Sequence, residues 1–476
     1  MTFSWIDIGF GIGVLHVIGI MAAIHAVMTV RTSQGSIAWA VSLTTIPYFT
    51  LIPYLFLGRS TFLGYVEARR ACNQLMRSQF GEIISTGPSP PLAANIHPEF
   101  RALTTLTNMP FVAGNHVKLL INGHATFNAI FEAIGRARDY VIIQFFIIRD
   151  DKIGHELQQH LLSCAAAGVK VYFLYDRIGS YDLPRRYCEI LMAGGVIVRE
   201  FSAARRGLFI NRFQLNFRNH RKIVVIDGIE AFVGGHNVGN EYLGEKFPLA
   251  PWRDTHISVT GPAVIGIQHT FAEDWHWSTG TVPLLNQTSL SMDSEMHCQV
   301  VPSGPSDQLE TSSLFFVSVI NAARERVWLT SPYFCPDEAV FTALRLAVLR
   351  GVEVRILIPS CADHRMVYEA TQSYAHEAVR SGIKIYRYRH GFLHQKVVLI
   401  DDTAAAIGSA NLDNRSFRLN FELMILTVDK HFAAEVSHML MNDFSNSEII
   451  ERESFLFIAG WRRMLMRIAR MFAPIL

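Results

Sequence analysis

Two long, uncharged apolar stretches stand near the beginning of the chain. They cover residues 8–30 and 36–57, and the short polar segment 31–35 joins them. About 20 apolar residues are enough to cross a bilayer, so each stretch has the length of a transmembrane helix. We therefore predict a two-helix transmembrane hairpin in residues 1–58. A cleaved signal peptide is disfavoured because no basic segment precedes the first stretch.

Basic residues predict how this hairpin is oriented. Arg59, Arg69 and Arg70 follow the second stretch, whereas Arg31 is the one basic residue between the two stretches. Positively charged flanks stay on the cytoplasmic side of a membrane. Both ends of the chain are therefore expected in the cytoplasm.

After a connector, the pattern changes to strands that alternate with helices. The connector covers residues 59–110 and includes the proline-rich stretch 87–91. Short β-branched and aromatic runs predict strands, and longer amphipathic runs between them predict helices. Strands are expected at 140–148, 169–175, 327–330 and 352–358, and helices at 156–167 and 338–350. This order is typical of an α/β fold in which helices flank mixed sheets.

One motif occurs twice with identical spacing. The pattern H-x-K-x4-D-x6-G-x2-N comprises His220, Lys222, Asp227, Gly234 and Asn237 in the first copy, and His394, Lys396, Asp401, Gly408 and Asn411 in the second. A single short motif arises by chance, but two matched copies indicate a duplicated fold. We predict two pseudo-symmetric halves, at residues 111–288 and 289–450.

The residue types in this motif suit a negatively charged phosphodiester. Positions two apart on a strand share a face, so each copy presents one imidazole and one ammonium group to the same side. Asn237 and Asn411 add amide donors, which makes them candidate phosphate-binding residues together with Lys222 and Lys396. A metal site is disfavoured because the lysines repel cations and no carboxylate cluster is near in the sequence. No cofactor is expected.

Composition narrows the choice of partners. Hydrophobic residues make up 50% of the chain, and the formal net charge is only +2. This charge does not indicate a nucleic-acid-binding surface, whereas the apolar content points to lipid. The six cysteines show no paired spacing, so neither a disulfide framework nor a zinc site is indicated.

The paired motifs resemble the two HKD signatures of the phospholipase D superfamily, and the resemblance covers residues 110–450. It implies a metal-free reaction in which one histidine attacks phosphorus and the other protonates the leaving alcohol. By position, His220 resembles the nucleophile and His394 the general acid, although the pseudo-symmetry leaves the reverse assignment open. The resemblance also implies a carboxylate that orients each histidine, with Asp254 serving His220 and Glu422 serving His394.

The aspartates of the two signatures have a different expected role. Asp227 and Asp401 are grouped with the catalytic residues because they complete each signature. Each follows the strand that carries the lysine, so we expect them to be structural residues that fix the turn after that strand.

The segments after the motifs narrow the resemblance. Residues 408–422 and 239–243, with the N-terminal hairpin, are similar to bacterial cardiolipin synthases across nearly the whole chain. This implies a phosphatidyltransferase of the bacterial cytoplasmic (inner) membrane, with phosphatidylglycerol and cardiolipin as its lipid partners. His236 departs from the small or apolar residue that is common at its position in relatives. A phospholipase D-type hydrolase, with water as the acceptor, stays open as the alternative, and so does a homo-oligomer.

The C-terminal segment, 451–476, predicts an amphipathic helix at an anionic membrane surface. Its predicted apolar face consists of Trp461, Met464, Leu465, Ile468, Met471 and Phe472, and its basic residues are Arg462, Arg463, Arg467 and Arg470. A basic helix of this kind is typical of membrane interfaces. The alternative is a helix that packs on the catalytic domain and leaves its arginines in solvent.

Overall fold

The computed structural model describes residues 5–58, 62, 64–80, 98–202, 216–286, 294–455 and 458–474. Arg59 and residues 81–97 of the predicted connector, including the proline-rich stretch 87–91, lie outside the described residues. The chain divides into two compact units, which are described separately. The first comprises residues 1–65 and 203–218, and the second comprises residues 66–202 and 219–476.

The first unit contains one long apolar helix and two shorter ones. These are α1 (Trp5–Thr29), α2 (Ser33–Thr45) and α3 (Pro47–Leu57). Within the described residues, Gly9–Thr29 is the one helical stretch long and apolar enough to cross a membrane. The predicted second span, 36–57, is not one continuous helix, because the backbone leaves the helix at Ile46. Pro47 lacks an N–H group and disfavours helical geometry at the residue before it.

The three helices nevertheless pack on each other. Ala23 and Ala26 of α1 are buried in one cluster with Leu43 and Tyr54. His25 Nδ1 lies 2.7 Å from the Tyr54 hydroxyl oxygen, which links α1 to α3. The predicted hairpin is therefore confirmed only in part, as a long helix packed against a bent second arm.

The second unit carries two sheets and their flanking helices. Two helices precede the first sheet: α4 (Tyr65–Phe80) and α5 (Arg101–Thr107). The first half contains β1 (His116–Ile121), α6 (Asn122–Arg136), β2 (Tyr140–Phe145), α7 (Lys152–Ala166), β3 (Lys170–Asp176), α8 (Arg185–Ala193), β4 (Ile197–Phe201), β5 (Arg218–Asn219), β6 (Ile223–Ile226), β7 (Glu230–Gly234), β8 (Trp252–Arg253), β9 (Thr255–Thr260) and α9 (Ala263–Thr279).

The second half follows in the same manner. It contains β10 (His297–Ser303), α10 (Thr311–Ala322), β11 (Arg326–Thr330), β12 (Phe334–Cys335), α11 (Glu338–Leu349), β13 (Glu353–Pro359), α12 (Arg365–Arg380), β14 (Lys384–Tyr388), β15 (Phe392–Leu393), β16 (Val397–Ile400), β17 (Ala404–Gly408), β18 (Leu412–Asp413), α13 (Asn414–Arg418), β19 (Asn420–Val428), α14 (Lys430–Ser445) and β20 (Ser447–Ile449), and α15 (Gly460–Met471) ends the unit.

The two sheets have the same strand order. The first runs β1-β9-β7-β6-β2-β3-β4, and the second runs β10-β19-β17-β16-β11-β13-β14, with β20 added at its edge. In each sheet the strand after the HKD lysine, β6 or β16, is central and fully buried. Such strands read as continuous apolar runs because helices cover both faces. The predicted α/β class with two pseudo-symmetric halves is thus confirmed.

Candidate active site

Each HKD histidine lies just before the central strand of its own half and contacts the backbone of a segment from the other half. The backbone N–H of His220 donates to the carbonyl of Phe421 at 2.9 Å, and that of His394 donates to the carbonyl of Arg253 at 2.8 Å. The short strands β8 and β15 also pair in parallel between the halves. Phe421 and Arg253 are the residues just before Glu422 and Asp254. Each carboxylate is therefore delivered to the histidine of the opposite half.

The histidine–carboxylate pairs are consequently crossed. His220 Nδ1 lies 2.9 Å from Glu422 Oε2, and His394 Nδ1 lies 2.7 Å from Asp254 Oδ2. The prediction that Asp254 serves His220 and Glu422 serves His394 is wrong. The backbone contacts between the halves set this pairing, whereas spacing along the sequence suggests the pairing within each half. We call the two contacts the crossed pairs.

Neutral hydrogen-bond donors surround Glu422. Ser409 Oγ donates to Oε2 at 2.6 Å, while Ser416 Oγ and Asn420 Nδ2 donate to Oε1 at 2.9 Å and 3.1 Å. Burial alone would raise the pKa of Glu422, but His220, Lys222 and Ser409 together lower it. Sequence reasoning missed these donors, although Ser409 stands inside the second motif directly after its glycine.

Asp254 has a different environment. Its Oδ1 accepts the backbone N–H of Thr255 at 2.8 Å, and Trp252 Nε1 lies 3.5 Å from Oδ2. Gly235 occupies the position of Ser409, and a Cβ atom there would lie 2.0 Å from Asp254 Oδ1. Burial would raise the pKa of Asp254, but His236 and the basic groups of the second motif hold it well below its usual value.

The motif lysines are buried against the histidines. Lys222 Nζ donates to the His220 carbonyl at 2.5 Å, and Lys396 Nζ donates to the His394 carbonyl. Burial lowers the pKa of Lys396 to about 8 and that of Lys222 well below its usual value. Lys396 also lowers the pKa of Lys222, and both lysines lower the pKa of each motif histidine, as expected where four basic groups share one site.

Both motif histidines are neutral at neutral pH in this arrangement. Burial lowers the pKa of His220 to about 4, against the attraction of Glu422. Burial, and then Lys396, lowers the pKa of His394 to about 3. With Nδ1 bound to a carboxylate, Nε2 of each ring is the nitrogen that can act on a phosphodiester.

The two motif aspartates lie at the far end of the central strands. Asp227 accepts the backbone N–H groups of Arg138, Asp139 and Tyr140, and Asp401 accepts those of residues 324–326. Both aspartates have positive φ angles, of 53° and 49°. These contacts fit the expected structural role at the turn and do not fit a place among the reacting groups.

The two motif asparagines differ. Asn237 donates from Nδ2 to the Tyr242 hydroxyl at 2.8 Å and accepts the Ile147 N–H at 3.1 Å. The Tyr242 ring lies 6.0 Å from the His394 ring, so Asn237 places an aromatic residue that sequence reasoning missed. Asn411 has a buried Oδ1 without a hydrogen-bond partner among the described residues. Phosphate binding by either asparagine stays a prediction.

His236 is part of a buried histidine pair. Its ring lies 5.4 Å from that of His256, and neither ring nitrogen of either residue has a hydrogen-bond partner among the described residues. Burial lowers the pKa of His236 to about 4 and that of His256 well below its usual value. Both rings are therefore neutral at neutral pH, and His236 lies near enough to Asp254 that its protonated form would lower the pKa of that carboxyl. Among the described residues, no group of three or more metal-binding side chains is arranged to hold an ion.

The C-terminal helix α15 packs on the catalytic unit through a face that was not predicted. Met466, Ala469 and Ala473 are buried, and α15 contacts α12. Arg462 lies 3.6 Å from Glu369, and Arg470 pairs with Glu377. Arg462 and Arg470 thus contact acidic residues of α12, whereas Arg463 and Arg467 are exposed, and the contact of these arginines with a membrane stays a prediction. Most of the predicted apolar face stays exposed: Trp461, Met464, Ile468, Met471 and Phe472.

Comparisons with known proteins agree with this geometry. The family model for "Cardiolipin synthase, PLD-like domain" matches residues 130–249 and 316–444. Cardiolipin synthase A of Pseudomonas fluorescens SBW25 is 56% identical over 474 residues, which are 98% of each chain. Cardiolipin synthase A of Pseudomonas putida GB-1 is 55% identical over 477 residues, with the same coverage.

A solved structure shows the same fold. The crystal structure of phosphatidylserine synthase from Haemophilus influenzae Rd KW20 is 16% identical, with a TM-score of 0.57 over 79% of this chain and 97% of that chain. The duplicated sheets, the two HKD signatures and these matches lead to one conclusion. The chain belongs to the cardiolipin synthase family of phospholipase D-like enzymes.

Proposed function

We propose that the chain transfers a phosphatidyl group from one phosphatidylglycerol to another, which gives cardiolipin and glycerol. The observation that carries this proposal is the pair of buried histidines, each held at Nδ1 by a carboxylate and each beside a buried lysine. Such a site offers two proton-transfer groups and two cations to a phosphodiester, which is the inventory that a double displacement at phosphorus needs.

The proposed reaction has two steps. His220 Nε2 attacks phosphorus, the bond to the glycerol oxygen breaks, and His394 gives that oxygen its proton. A hydroxyl group of the second phosphatidylglycerol then attacks the phosphohistidine, loses its proton to His394, and releases His220. The phosphatidyl group is transferred intact in both steps, and the two steps together form a ping-pong mechanism.

The low pKa values of the histidines suit the start of this sequence. A neutral His220 has a free electron pair for attack, and its pKa of about 4 keeps it neutral at pH 7. His394 must acquire a proton to act as an acid. The negative charge of the bound phosphodiester favours the protonated ring, so substrate binding raises the pKa of His394 and couples proton uptake to binding.

Membrane contact in this proposal comes from two places. Helix α1 is the candidate span, and the exposed apolar face of α15 lies in the headgroup region of an anionic leaflet. Trp461 and Met471 are 68% and 78% exposed, and Arg463 and Arg467 stand beside that face. Exposed tryptophan and arginine side chains on one helix favour an anionic interface. We also propose an inner-membrane location with the catalytic unit in the cytoplasm.

The test is incubation of the purified protein with phosphatidylglycerol vesicles alone, with and without EDTA. We expect cardiolipin and free glycerol in equal amounts, unaffected by EDTA. Phosphatidic acid and glycerol without cardiolipin would show that water is the acceptor and would favour the hydrolase. Activity that disappears with EDTA and returns with a divalent metal would contradict the site.

The contact of α15 with lipid has its own test. Brominated phosphatidylglycerol quenches tryptophan that enters the bilayer, so wild-type protein should lose more fluorescence than a Trp461→Phe variant. Arg463→Gln with Arg467→Gln should weaken that quenching, since each arginine contributes about 1 kcal/mol near an anionic surface. Equal quenching of the wild type and Trp461→Phe would show that α15 does not meet the membrane.

A further inference from the structure

Behind each crossed pair lies one buried carboxylate from a helix. Asp274 belongs to α9 and Asp443 to α14, the helices that follow the last antiparallel strand of each half. Asp274 is 0% exposed and Asp443 is 2% exposed. Neither residue belongs to the HKD signature, and the reaction proposed above assigns neither a role. The cost of burying a charge makes such residues informative when each contacts several partners.

Asp443 joins the residues beside His394 and Asp254. Its Oδ2 accepts Gln395 Nε2 at 2.9 Å, and Gln395 directly follows His394. Both oxygens also accept Arg253, at 2.8 Å and 2.7 Å, and Arg253 directly precedes Asp254. One carboxylate thus holds a neighbour of each member of this crossed pair.

A closed ring of buried hydrogen bonds completes this arrangement. Arg253 Nη1 donates to the Thr255 hydroxyl at 3.1 Å, and that hydroxyl donates to Gln395 Oε1 at 2.7 Å. The ring therefore runs from Asp443 through Arg253, Thr255 and Gln395 back to Asp443. Planar guanidinium and carboxylate groups bound at two points fix orientation as well as distance.

Asp274 makes the equivalent arrangement behind His220. It accepts both residues that flank this histidine, Asn219 Nδ2 at 2.8 Å and Arg221 Nη1 at 2.9 Å. Arg221 Nε then donates to the backbone carbonyl of Glu422 at 3.0 Å. Here too one carboxylate is connected to both members of a crossed pair.

The arginine occupies opposite sides in the two arrangements. Arg221 stands beside its histidine and reaches toward the carboxylate of the other half. Arg253 stands beside its carboxylate, and Gln395 takes the place next to the histidine. The two arrangements therefore use the same kinds of contact, but the arginine follows the histidine in one and precedes the carboxylate in the other. A duplicated sequence alone would have placed the arginine at the same position in both halves.

We propose that Asp274 and Asp443 are positioning residues, each of which clamps one crossed pair in the geometry for its chemical role. Asp443 keeps His394 aligned for proton transfer, and Asp274 keeps His220 aligned for attack. This inference rests on the two-histidine reaction proposed above. It predicts that each aspartate affects one chemical role and leaves the other in place.

Two substrates separate these roles. Glycerol needs a proton to leave from phosphatidylglycerol, whereas p-nitrophenolate leaves from phosphatidyl-p-nitrophenol without one. In full-length Asp443→Asn, we expect the first-turnover release of glycerol to fall about 10- to 100-fold, the range seen when a hydrogen-bond partner that orients a metal-ligating histidine is lost. The release of nitrophenolate should change less than about threefold. In Asp274→Asn, both rates should fall together, because attack by His220 is common to both substrates.

Asp337→Asn is the matched control. Asp337 is a buried aspartate that caps α11, accepts Ser313 Oγ at 2.7 Å and lies 3.6 Å from Arg418. Its loss should lower the melting temperature and leave the ratio of the two rates unchanged. If Asp443→Asn does not fold, Gln395→Met removes the contact to the histidine strand and leaves Asp443 paired with Arg253; it should show the same selective loss of glycerol release.

The outcomes are distinct. Folded Asp443→Asn that loses both rates equally, or neither, would overturn the clamp. Selective loss in Asp274→Asn instead of Asp443→Asn would support the clamps and reverse the roles of the histidines. Wild-type protein that cleaves phosphatidyl-p-nitrophenol but makes no cardiolipin would contradict the proposed function, while the test of the clamps on the nitrophenyl ester would still stand.

Discussion

The two crossed pairs have the same geometry and different surroundings. Glu422 accepts hydrogen bonds from Ser409, Ser416 and Asn420 in addition to His220. Asp254, which holds His394, lies against a glycine at the position of Ser409 and near His236. A duplicated fold therefore supplies two equivalent positions for a histidine, and the residues that contact the carboxylates make those positions unequal. We propose that this inequality allows one histidine to act as nucleophile and the other as acid.

The largest expected effect comes from removal of either histidine. His394→Ala should lower cardiolipin synthesis about 10²- to 10⁴-fold, because it removes acid–base help. His220→Ala should lower it further, because no covalent intermediate can form. Synthesis is measured from phosphatidylglycerol with protein shown to be folded by its melting temperature. Near-normal turnover in either variant would contradict the two-histidine reaction.

Removal of the carboxylates tests the crossing itself. Asp254→Asn should lose first-turnover release of glycerol and keep that of p-nitrophenolate, as we also expect for His394→Ala. Glu422→Gln should lose both, as we also expect for His220→Ala. The change from aspartate to asparagine in a Ser-His-Asp triad costs about 10⁴-fold, so losses of 10²-fold or more are expected. If the two patterns were exchanged between the variants, each carboxylate would serve the histidine of its own half.

Exchange of the residue beside each carboxylate sharpens the comparison. Gly235→Ser places a Cβ atom where it would lie 2.0 Å from Asp254 Oδ1, so the carboxylate must move. Misplacement of a catalytic group by about 1 Å can cost on the order of 10²-fold. Ser409→Gly removes one donor from Glu422 and leaves the others, which should cost about 1 kcal/mol, or roughly fivefold in rate. Equal effects of the two variants on kcat/KM would show that the residues at positions 235 and 409 do not make the two crossed pairs unequal.

The pH dependence follows from the buried lysine of the second motif. Burial lowers the pKa of Lys396 to about 8, so its positive charge is lost as the pH rises through 8. The rate should fall above that pH, by about tenfold per unit, since the lysine holds the negative phosphodiester. Arginine stays charged throughout this range, so Lys396→Arg should move the alkaline limb upward. A limb at the same pH in folded Lys396→Arg would assign it to another group.

The smallest effect concerns stability in acid. Burial lowers the pKa of His236 to about 4, below the value of about 6.5 expected in the unfolded chain. Between these values the unfolded state binds more protons, so stability falls as the pH falls from 6.5 toward 4. Ala410 occupies the equivalent position in the second half. His236→Ala should therefore make the melting temperature less dependent on pH in this window; an unchanged slope would exclude His236 as a contributor.

The sequence alone predicts most of the scaffold. The repeated motif and the apolar runs identify the central strands, and the strand expected at 169–175 is observed as Lys170–Asp176. These predictions succeed because buried strands and their flanking helices have local signatures. The matched spacing also identifies both histidines and both lysines, because positions two apart on a strand share a face. The boundaries predicted at 111–288 and 289–450 stay predictions.

The failures concern contacts between distant segments. The crossing of Asp254 and Glu422 depends on the pairing of β8 with β15 and on backbone bonds between the halves, which no local pattern encodes. Asn237 looks like a phosphate donor in the motif, yet its amide holds Tyr242. The break at Ile46 could have been predicted, because Pro47 was visible within the second apolar stretch.

One measurement tests the central claim most directly. His394→Ala, given phosphatidyl-p-nitrophenol, can complete the first step without an acid but lacks the base for the second. The protein, denatured at neutral or alkaline pH and digested, should therefore yield a phosphatidyl adduct on the peptide that contains His220, in an amount that matches the burst of nitrophenolate. The absence of any adduct when nitrophenolate is released, or an adduct on another residue, would contradict the account.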